Sequence, residues 1–259
     1  MINTYNESSL HKTIKTLIAT EHNSATEIKL DGYICDALTQ YTSISRGEFC
    51  DIYEIQTHNL GKLLTKINSL LKNHNVCIVY PLQIKTYIET YTEKGLKISR
   101  RKSPREKNIY HLFDELTGIF SLLTDDKAKK KKLHVQGNFK LEVIEVITTQ
   151  KRIKTEKNIQ LKNKSRRWKR AWYIDDTELT KIVSRKTFNN SNDFLELLPK
   201  GLPQNFTVKD VAEKLNQRDG KRLAGKMLWT FNKAGLITRI AKKGNAFVYK
   251  KTPSINEGV

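Results

Sequence analysis

The sequence lacks the features that mark secreted, membrane-spanning and many metabolic proteins. Its three cysteines, Cys35, Cys50 and Cys77, stand singly without C-x-x-C spacing, which predicts buried free thiols in a reducing cytoplasm. No window approaches the roughly 18 continuous apolar residues of a membrane span, and the opening MINTYNESSLHK lacks the regions of a signal peptide. No Gly-rich phosphate loop or nucleophile elbow is present, which disfavours an enzyme of sugars or small metabolites. We therefore expect a cytoplasmic protein.

Acidic residues are also few for a chain of this length. The 259 residues contain 47 Lys and Arg but only 27 Asp and Glu, a formal net charge of +20. Solubility does not require such an excess, so the charge indicates a polyanionic partner. A membrane surface is the rival partner, but the sequence contains no cationic amphipathic helix with a broad aromatic face. We expect DNA as the partner and no membrane.

The first 80 residues predict a small mixed sheet flanked by helices. Residues 7–21 have apolar positions at helical spacing, and so does the segment NLGKLLTKINSLLKN. Between them, EIKLDGYICDALT and GEFCDIYEIQT are typical of strands. The apolar run VCIVYP predicts a buried strand that ends at Pro81, because proline cannot donate to a ladder. The predicted order is therefore helix, strand, strand, helix, strand.

The middle of the chain is dominated by positive charge. The stretch KGLKISRRKSPREKN has seven basic residues and one acid, and predicts an extended loop. IYHLFDELTGIFSLL predicts one amphipathic helix, and FKLEVIEVITTQKRI alternates as a strand does. The lysine run DDKAKKKK predicts no regular structure. The sequence does not distinguish two interpretations of residues 95–175: they belong to the α/β core, or they form a separate middle layer.

The pattern changes near residue 190. Thr207 and Asp210 form a capping-box pattern before one helix, and a second helix, KRLAGKMLWTFNKAG, ends at Gly235. LITRIAKKGNAFVYKK then predicts two strands around a Gly-Asn turn. Helix, turn, helix and hairpin predict a winged helix. The predicted fold is an α/β core with a mixed sheet at 1–190 (minimal core about 1–90), a winged helix-turn-helix domain at 191–252 and a flexible tail at 253–259.

The strand that ends in EIQ carries the strongest chemical signal. Glu54 and Gln56 project from one face of it, and Asp36 on the preceding strand can lie opposite Glu54. Facing carboxylates repel unless a cation shares them, and Mg²⁺ or Mn²⁺ suits such oxygen ligands. Glu7, early in the first helix, would add a third carboxylate. The alternative, that Glu54 and Gln56 are merely solvated, requires Ile52 on the same face to be exposed as well.

These residues resemble the PD-(D/E)XK nuclease superfamily over residues 7 to about 85. The resemblance rests on Asp36, the segment Glu54–Gln56, a preceding helix with Glu7, and the helix and buried strand that follow. It implies a restriction-endonuclease-like core in which Asp36 and Glu54 bind the catalytic metal. A lysine two residues after the glutamate then helps to orient or activate the attacking water.

The sequence departs from that family at the lysine position. Gln56 stands there, and an amide can hold a water by hydrogen bonds but supplies no positive charge. Other members of the family recruit a lysine from the following helix, where Lys66 borders the apolar face and is a better candidate than Lys62. His11 and His58 lie near the predicted site in sequence, although a lone histidine is more often a structural residue than a ligand.

Basic residues predict the surfaces that would hold DNA. Arg222, Lys226, Trp229 and Lys233 form one stripe of the second C-terminal helix, suited to a major groove, and a solvated helix face is the alternative. Trp168 could stack on an unpaired base or anchor its segment to the core. The remaining predicted contacts are Lys242 and Lys243 at the hairpin turn, together with Arg100, Arg101, Arg166, Arg167, Lys169 and Arg170.

The residues together favour a metal-dependent DNA endonuclease that the winged helix positions on double-stranded DNA. Cleavage of both strands would need two active sites, so a homodimer is compatible with this hypothesis. Two alternatives are open. Gln56 favours a DNA-binding regulator whose nuclease-like core is inactive, and the basic tryptophan segment favours a protein that binds or cleaves RNA.

Overall fold

The computed structural model describes residues 7–43, 47–124, 138–160 and 169–252. The tail predicted at 253–259 lies outside them. None of the helices formed by these residues is long and apolar enough to cross a membrane. The helices are α1 (Ser9–Glu21), α2 (Leu64–Leu70), α3 (Phe113–Leu116), α4 (Ser191–Leu195), α5 (Val208–Leu215) and α6 (Gly220–Ala234). The strands are β1 (Ala25–Leu30), β2 (Tyr33–Ser43), β3 (Gly47–Ile55), β4 (Asn75–Tyr91), β5 (Lys97–Lys102), β6 (Phe139–Ile159), β7 (Arg170–Phe188), β8 (Ile237–Lys243) and β9 (Ala246–Lys251).

One mixed sheet organises the described part of the chain, which confirms the predicted α/β class. Its order is β1-β2-β3-β4-β6-β7, and β5 pairs with the later part of β4. β3 and β4 are parallel, as are β4 and β6, whereas the other neighbours are antiparallel. The parallel β3–β4 pair is joined through α2, as a parallel connection requires. β8 and β9 form a separate hairpin.

The sheet differs from the sequence prediction in three places. EIKLDGYICDALT is a hairpin of β1 and β2 rather than one strand, and its turn falls at Asp31 and Gly32, which both have positive φ. β5 lies in the stretch predicted to be a loop, and β7 was not predicted. Every residue of β5 is exposed, so this strand has no apolar face and no alternation by which the sequence could reveal it.

The prediction that β4 ends at Pro81 is wrong. β4 continues for ten residues beyond the proline, and Pro81 pairs with Ile144 of β6. On the other side of β4, the β3 pairing ends at Val79, whose carbonyl accepts a hydrogen bond from the Gln56 N–H, and β5 pairs only from Tyr87. The Pro81 nitrogen points to that unpaired edge, because residues two apart in a strand have the same orientation. The missing N–H therefore costs no ladder hydrogen bond.

The helix predicted over 109–123 is broken into short pieces. A 3-10 turn at Ile109–Leu112 leads into α3, and a second spans Phe120–Leu122. Between them the chain turns at Gly118, which lies against Gly61. A Cβ added to Gly118 would lie 2.9 Å from both the Cα and the N of Gly61. The apolar pattern was right, but the close approach of two backbones replaces a continuous helix.

Gly118→Ala is expected to lower the free energy of unfolding by about 1 to 2 kcal/mol, because the new methyl group can be accommodated only by moving backbone. Gly225→Ala is the matched control. Gly225 lies inside α6 with open space around its Cα, so alanine should stabilise that helix by about 0.5 to 1 kcal/mol. Urea denaturation measures both. Equal effects of the two substitutions would contradict the proposed Gly61–Gly118 contact.

The two faces of the sheet bury separate cores. α1 covers one face, where Leu10, Ile14 and Ile18 pack with Ile55 and Val79. The other face bears a larger core, which extends from the sheet through α2 and α3 to the C-terminal helices. The site described next lies where α1, α2 and the end of β3 meet.

The C-terminal elements follow the predicted order of helix, helix and hairpin. The capping box of Thr207 and Asp210 is present at the start of α5, and Gly235 ends α6 in the left-handed conformation. α6 packs on α3 through Phe231, whose ring lies edge-on to Phe113 at a centroid distance of 5.1 Å. These elements therefore share one continuous core with the sheet.

Candidate functional site

Two carboxylates meet where β2 and β3 run side by side. Ala37 pairs with Tyr53, and Asp36 and Glu54 are the next residues beyond that pair. Asp36 Oδ2 accepts a hydrogen bond of 2.8 Å from the N–H of Ile55. The strand register thus brings together the two side chains that the sequence paired.

Glu54 is buried beneath the helix that follows its strand. Its side chain is 2% exposed, and Lys66 Nζ of α2 lies 2.6 Å from Glu54 Oε2. Lys66 also donates to the Ile34 carbonyl oxygen at 2.6 Å, so the ammonium is fixed between two strands. The other oxygen, Glu54 Oε1, is buried and has no hydrogen-bond partner among the described residues.

The start of α1 adds a histidine and further charges. His11 Nδ1 contacts the Glu7 carboxylate. His11 Nε2 lies 2.9 Å from the Ile55 carbonyl oxygen and 3.6 Å from Asp36 Oδ2. Lys15 Nζ lies 2.8 Å from Glu7 Oε1. We call Glu7, His11, Asp36, Glu54 and Lys66 the carboxylate cluster.

The surroundings give the two strand carboxylates different proton affinities. Burial raises the pKa of Glu54 to about 7; the Asp36 charge adds to this, and Lys66 opposes it. Burial also opposes ionisation of Asp36, but the hydrogen bond and charge of His11 and the Ile55 N–H outweigh it, and the Asp36 pKa is lowered. Burial lowers the pKa of His11, yet Asp36 and Glu7 raise it overall. Carboxylates with diverging pKa values are typical of acid–base sites.

His11 is the member of the cluster that sequence reasoning set aside. His11 and Lys15 are four residues apart on α1 and form one stripe of the helix, whereas Glu7, predicted to lie early in that helix, precedes its N-cap Ser8. That stripe faces the sheet, and Lys15 is buried despite its charge. The sequence feature that could have predicted this role of His11 is the spacing of polar residues beside the apolar stripe of the helix.

Gln56 and His58 lie at the margin of the carboxylate cluster. Gln56 Nε2 donates to the His58 carbonyl oxygen at 2.6 Å, and the His58 side chain is exposed and contacts Thr57. Lys62 is exposed as well. The cation beside Glu54 is therefore Lys66.

Comparison with known proteins assigns the chain to a family. Residues 8–189 match the family described as Domain of unknown function (DUF8091). The chain belongs to this family. A protein of Treponema pallidum (strain Nichols), described as an uncharacterized protein, is 28% identical over 253 residues, which cover 97% of this chain and 88% of that protein. No solved structure matches the chain significantly.

The DUF8091 match contains the sheet and, except for Glu7, the carboxylate cluster. It ends before α4, so the predicted DNA-reading helix α6 lies outside it. Arg222 and Lys226 of that helix both contact Asp114 at the start of α3. Trp229 lies edge-on to Phe120 at a centroid distance of 5.5 Å and is 44% exposed. Much of the predicted basic stripe thus faces the family region.

The other predicted DNA contacts are dispersed over the surface. Exposed residues at the C-terminal end are Lys233 on α6 and the hairpin residues Lys242 and Lys243. Arg100 is exposed, with Nε 3.2 Å from Glu89 Oε1. Arg101, Lys169 and Arg170 are exposed around one end of the sheet. Three predicted contacts lie outside the described residues: Arg166, Arg167 and Trp168.

Proposed function

We propose that this chain is a metal-dependent nuclease of the PD-(D/E)XK type that hydrolyses DNA phosphodiesters. The supporting observation is the meeting of Asp36, Glu54 and Lys66 at the ends of two strands. In the chain, α1 precedes these two strands and α2 follows them, and both helices contact this group of side chains. Lys66 reaches from α2 to Glu54, and we propose that it takes the role that the superfamily gives to a lysine at residue 56.

The donors fit a hard divalent cation. Among the described residues no group of three or more His, Cys, Asp or Glu side chains is arranged to hold a metal, but Mg²⁺ typically uses one or two carboxylates and keeps several waters. Asp36 and Glu54 would supply these carboxylates, and Glu54 Oε1 is a buried oxygen that accepts no hydrogen bond from the described residues. When bound, such an ion would polarise a phosphate and lower the pKa of a water.

The protein's own groups would divide the remaining tasks. Lys66 holds Glu54 in place through Oε2 and presents a positive charge next to the site. Burial alone would raise the pKa of Asp36, but His11 and the Ile55 N–H lower it overall, which favours the carboxylate form. His11 is held by Glu7 and lies against Asp36 and the Ile55 carbonyl oxygen, where it can accept or give up a proton.

The C-terminal elements support a role in positioning DNA. α5, α6 and the β8–β9 hairpin have the order of a winged helix, and we propose that they dock on duplex DNA. Arg222 and Lys226 form ion pairs with Asp114. The exposed lysines Lys233, Lys242 and Lys243 would therefore make the first contacts with DNA phosphates.

The test is cleavage of supercoiled plasmid by the full-length protein with Mg²⁺, with Mn²⁺ and with EDTA. We expect nicking or linearisation that requires the divalent ion, because both strand carboxylates are placed to bind it. Asp36→Asn, purified in the same way, keeps the size and most hydrogen bonds of the side chain and should reduce cleavage to background. Cleavage by Asp36→Asn at the wild-type rate would overturn the proposal.

An inactive DNA-binding regulator is the second candidate. It is favoured by the groups that already contact the two carboxylates, the Lys66 ammonium at Glu54 and the His11 imidazole near Asp36. Calorimetric titration with Mn²⁺ separates the two functions. A nuclease should bind the ion and lose that binding in Asp36→Asn, whereas a regulator should bind DNA without binding the ion.

A further inference from the structure

Beyond the end of β3 the sheet continues as a long four-stranded projection. We call this the sheet extension; it consists of β5, residues 85–91 of β4, residues 147–159 of β6 and residues 170–181 of β7. Of its side chains only Ile88, Thr148 and Thr155 are buried. What distinguishes the two faces is the way in which their charges are arranged.

On one face of the sheet extension, three cations contact acids of the same face. Glu89 lies between two β5 cations, with Lys97 Nζ at 2.6 Å and Arg100 Nε at 3.2 Å. On the neighbouring strands, Lys151 Nζ lies 2.6 Å from Glu178 Oε1. Each of these three cations therefore has an acidic partner.

The opposite face carries arginines without such partners. Arg101 pairs with Ile88, which pairs with Gln150, and Arg152 follows two residues later on β6. Residues paired across strands or two apart along a strand share a face, so Arg101 and Arg152 lie on the same face. No ion pair within the described residues includes either of them. Arg152 Nε donates only to the neutral Gln150 side chain, at 2.7 Å.

An aromatic ring fixes part of this arginine group. Trp172 on β7 lies opposite Lys154. The Arg152 guanidinium carbon is 4.1 Å from the centroid of the Trp172 ring, and that of Arg170 is 5.1 Å away. Both arginines thus stack on one indole. We call Arg101, Arg152, Arg170 and Trp172 the arginine face.

The arginine face brings like charges together at a cost. Burial lowers the pKa of Arg152, and the charges of Arg101 and Arg170 lower it further. Mutual repulsion of this kind is relieved by a polyanion that contacts all three groups. Guanidinium groups bind phosphate oxygens in pairs of parallel hydrogen bonds, and groups already held by stacking lose less side-chain entropy on binding.

The position of the arginine face relates it to the carboxylate cluster. Ile144 and Val146 of β6 pack against α1. Arg152 lies six residues beyond Val146 on the same strand, an even interval, so the two side chains share a face of the sheet. The arginine face therefore lies on the face of the sheet that α1 covers, and His11 of the carboxylate cluster lies on that helix.

We propose that the arginine face binds the phosphate backbone of a nucleic acid and directs it toward the carboxylate cluster. The second part of this inference rests on the proposed nuclease function, whereas the binding itself does not. Arg152 and Trp172 are the residues that this inference adds to the predicted contacts. Arg101 and Arg170 gain a defined geometry.

The test measures binding of a fluorescent 30-base-pair DNA duplex to the full chain in EDTA at several salt concentrations. Arg152→Gln/Arg170→Gln removes two positive charges from the arginine face. Lys97→Gln/Lys151→Gln removes two from the opposite face and is the matched control. Loss of two phosphate contacts should reduce the slope of log K against log salt by about 2, and affinity at low salt should fall by at least tenfold. The control should keep the wild-type slope.

Equal losses in the two double variants would show that total charge alone drives binding and would overturn the proposal. Thermal unfolding shows that each variant is folded, and Arg152→Lys, which keeps the charge, should retain most of the slope. Inorganic polyphosphate that competes as well as DNA per phosphate would also count against a nucleic-acid site. If the arginine variants lose binding but the wild type never cleaves with Mg²⁺, the arginine face stands and the nuclease function fails.

Discussion

Lys66→Met is expected to lower the free energy of unfolding by about 3 kcal/mol at pH 8, because it leaves a buried carboxylate without its counter-charge. Glu54 is almost fully buried, and Lys66 Nζ is 2.6 Å from it. Methionine preserves most of the packing of the lysine stem. The loss therefore reports the charge rather than the volume of the side chain.

The effect should be much smaller at pH 5. Burial raises the pKa of Glu54 in the folded protein to about 7 from an ordinary 4.5. Between these two pH values the folded state therefore binds more protons than the unfolded state. The stabilisation from that proton uptake is complete below pH 4.5 and is lost as the pH rises through 7. Without Lys66 the folded pKa rises further, so the loss continues to higher pH at up to about 1.4 kcal/mol per pH unit.

Urea denaturation at pH 5 and pH 8 measures the difference. Adding Glu54→Gln to Lys66→Met removes the buried charge and should restore most of the stability at pH 8. Lys62→Met, an exposed lysine one turn earlier, is the control and should change stability by less than about 0.5 kcal/mol. A loss in Lys66→Met that is the same at both pH values would contradict the buried ion pair.

Phe231→Ala is expected to cost about 3 to 5 kcal/mol, the range for emptying a fully buried aromatic site. Phe231 of α6 is completely buried, and its ring packs edge-on against Phe113 of α3. The substitution removes this contact from the core that the sheet shares with the C-terminal helices. The hydrophobic loss and the cavity left behind add to one another.

Phe247→Ala is the matched control, since Phe247 lies on the hairpin with 36% of its surface exposed. Its ring stacks on Arg239, and its loss should cost no more than about 1 kcal/mol. Denaturation followed separately by circular dichroism and by tryptophan fluorescence measures both variants. A Phe231→Ala protein with wild-type stability would show that the C-terminal helices are not coupled to the sheet.

The sequence by itself determined the elements whose pattern repeats along the chain. Apolar residues at helical spacing specify α1, and the Thr207 capping box specifies the start of α5. The two-residue spacing of Glu54 and Gln56, with Asp36 on the preceding strand, was enough to bring the two carboxylates into one site. These features are local, or depend on a single pair of neighbouring strands, so that periodicity and register suffice to predict them.

Only the tertiary structure decided which groups complete that site and which surfaces remain exposed. His11 reaches Asp36 because α1 packs across the end of β3, and Lys66 serves Glu54 because α2 lies over β2 and β3. Pro81 continues its strand because the edge that it faces has no partner there. Arg222 and Lys226 turn toward Asp114, more than a hundred residues earlier. Such contacts depend on elements far apart in the chain, and the physics of one segment cannot specify the partner that another segment supplies.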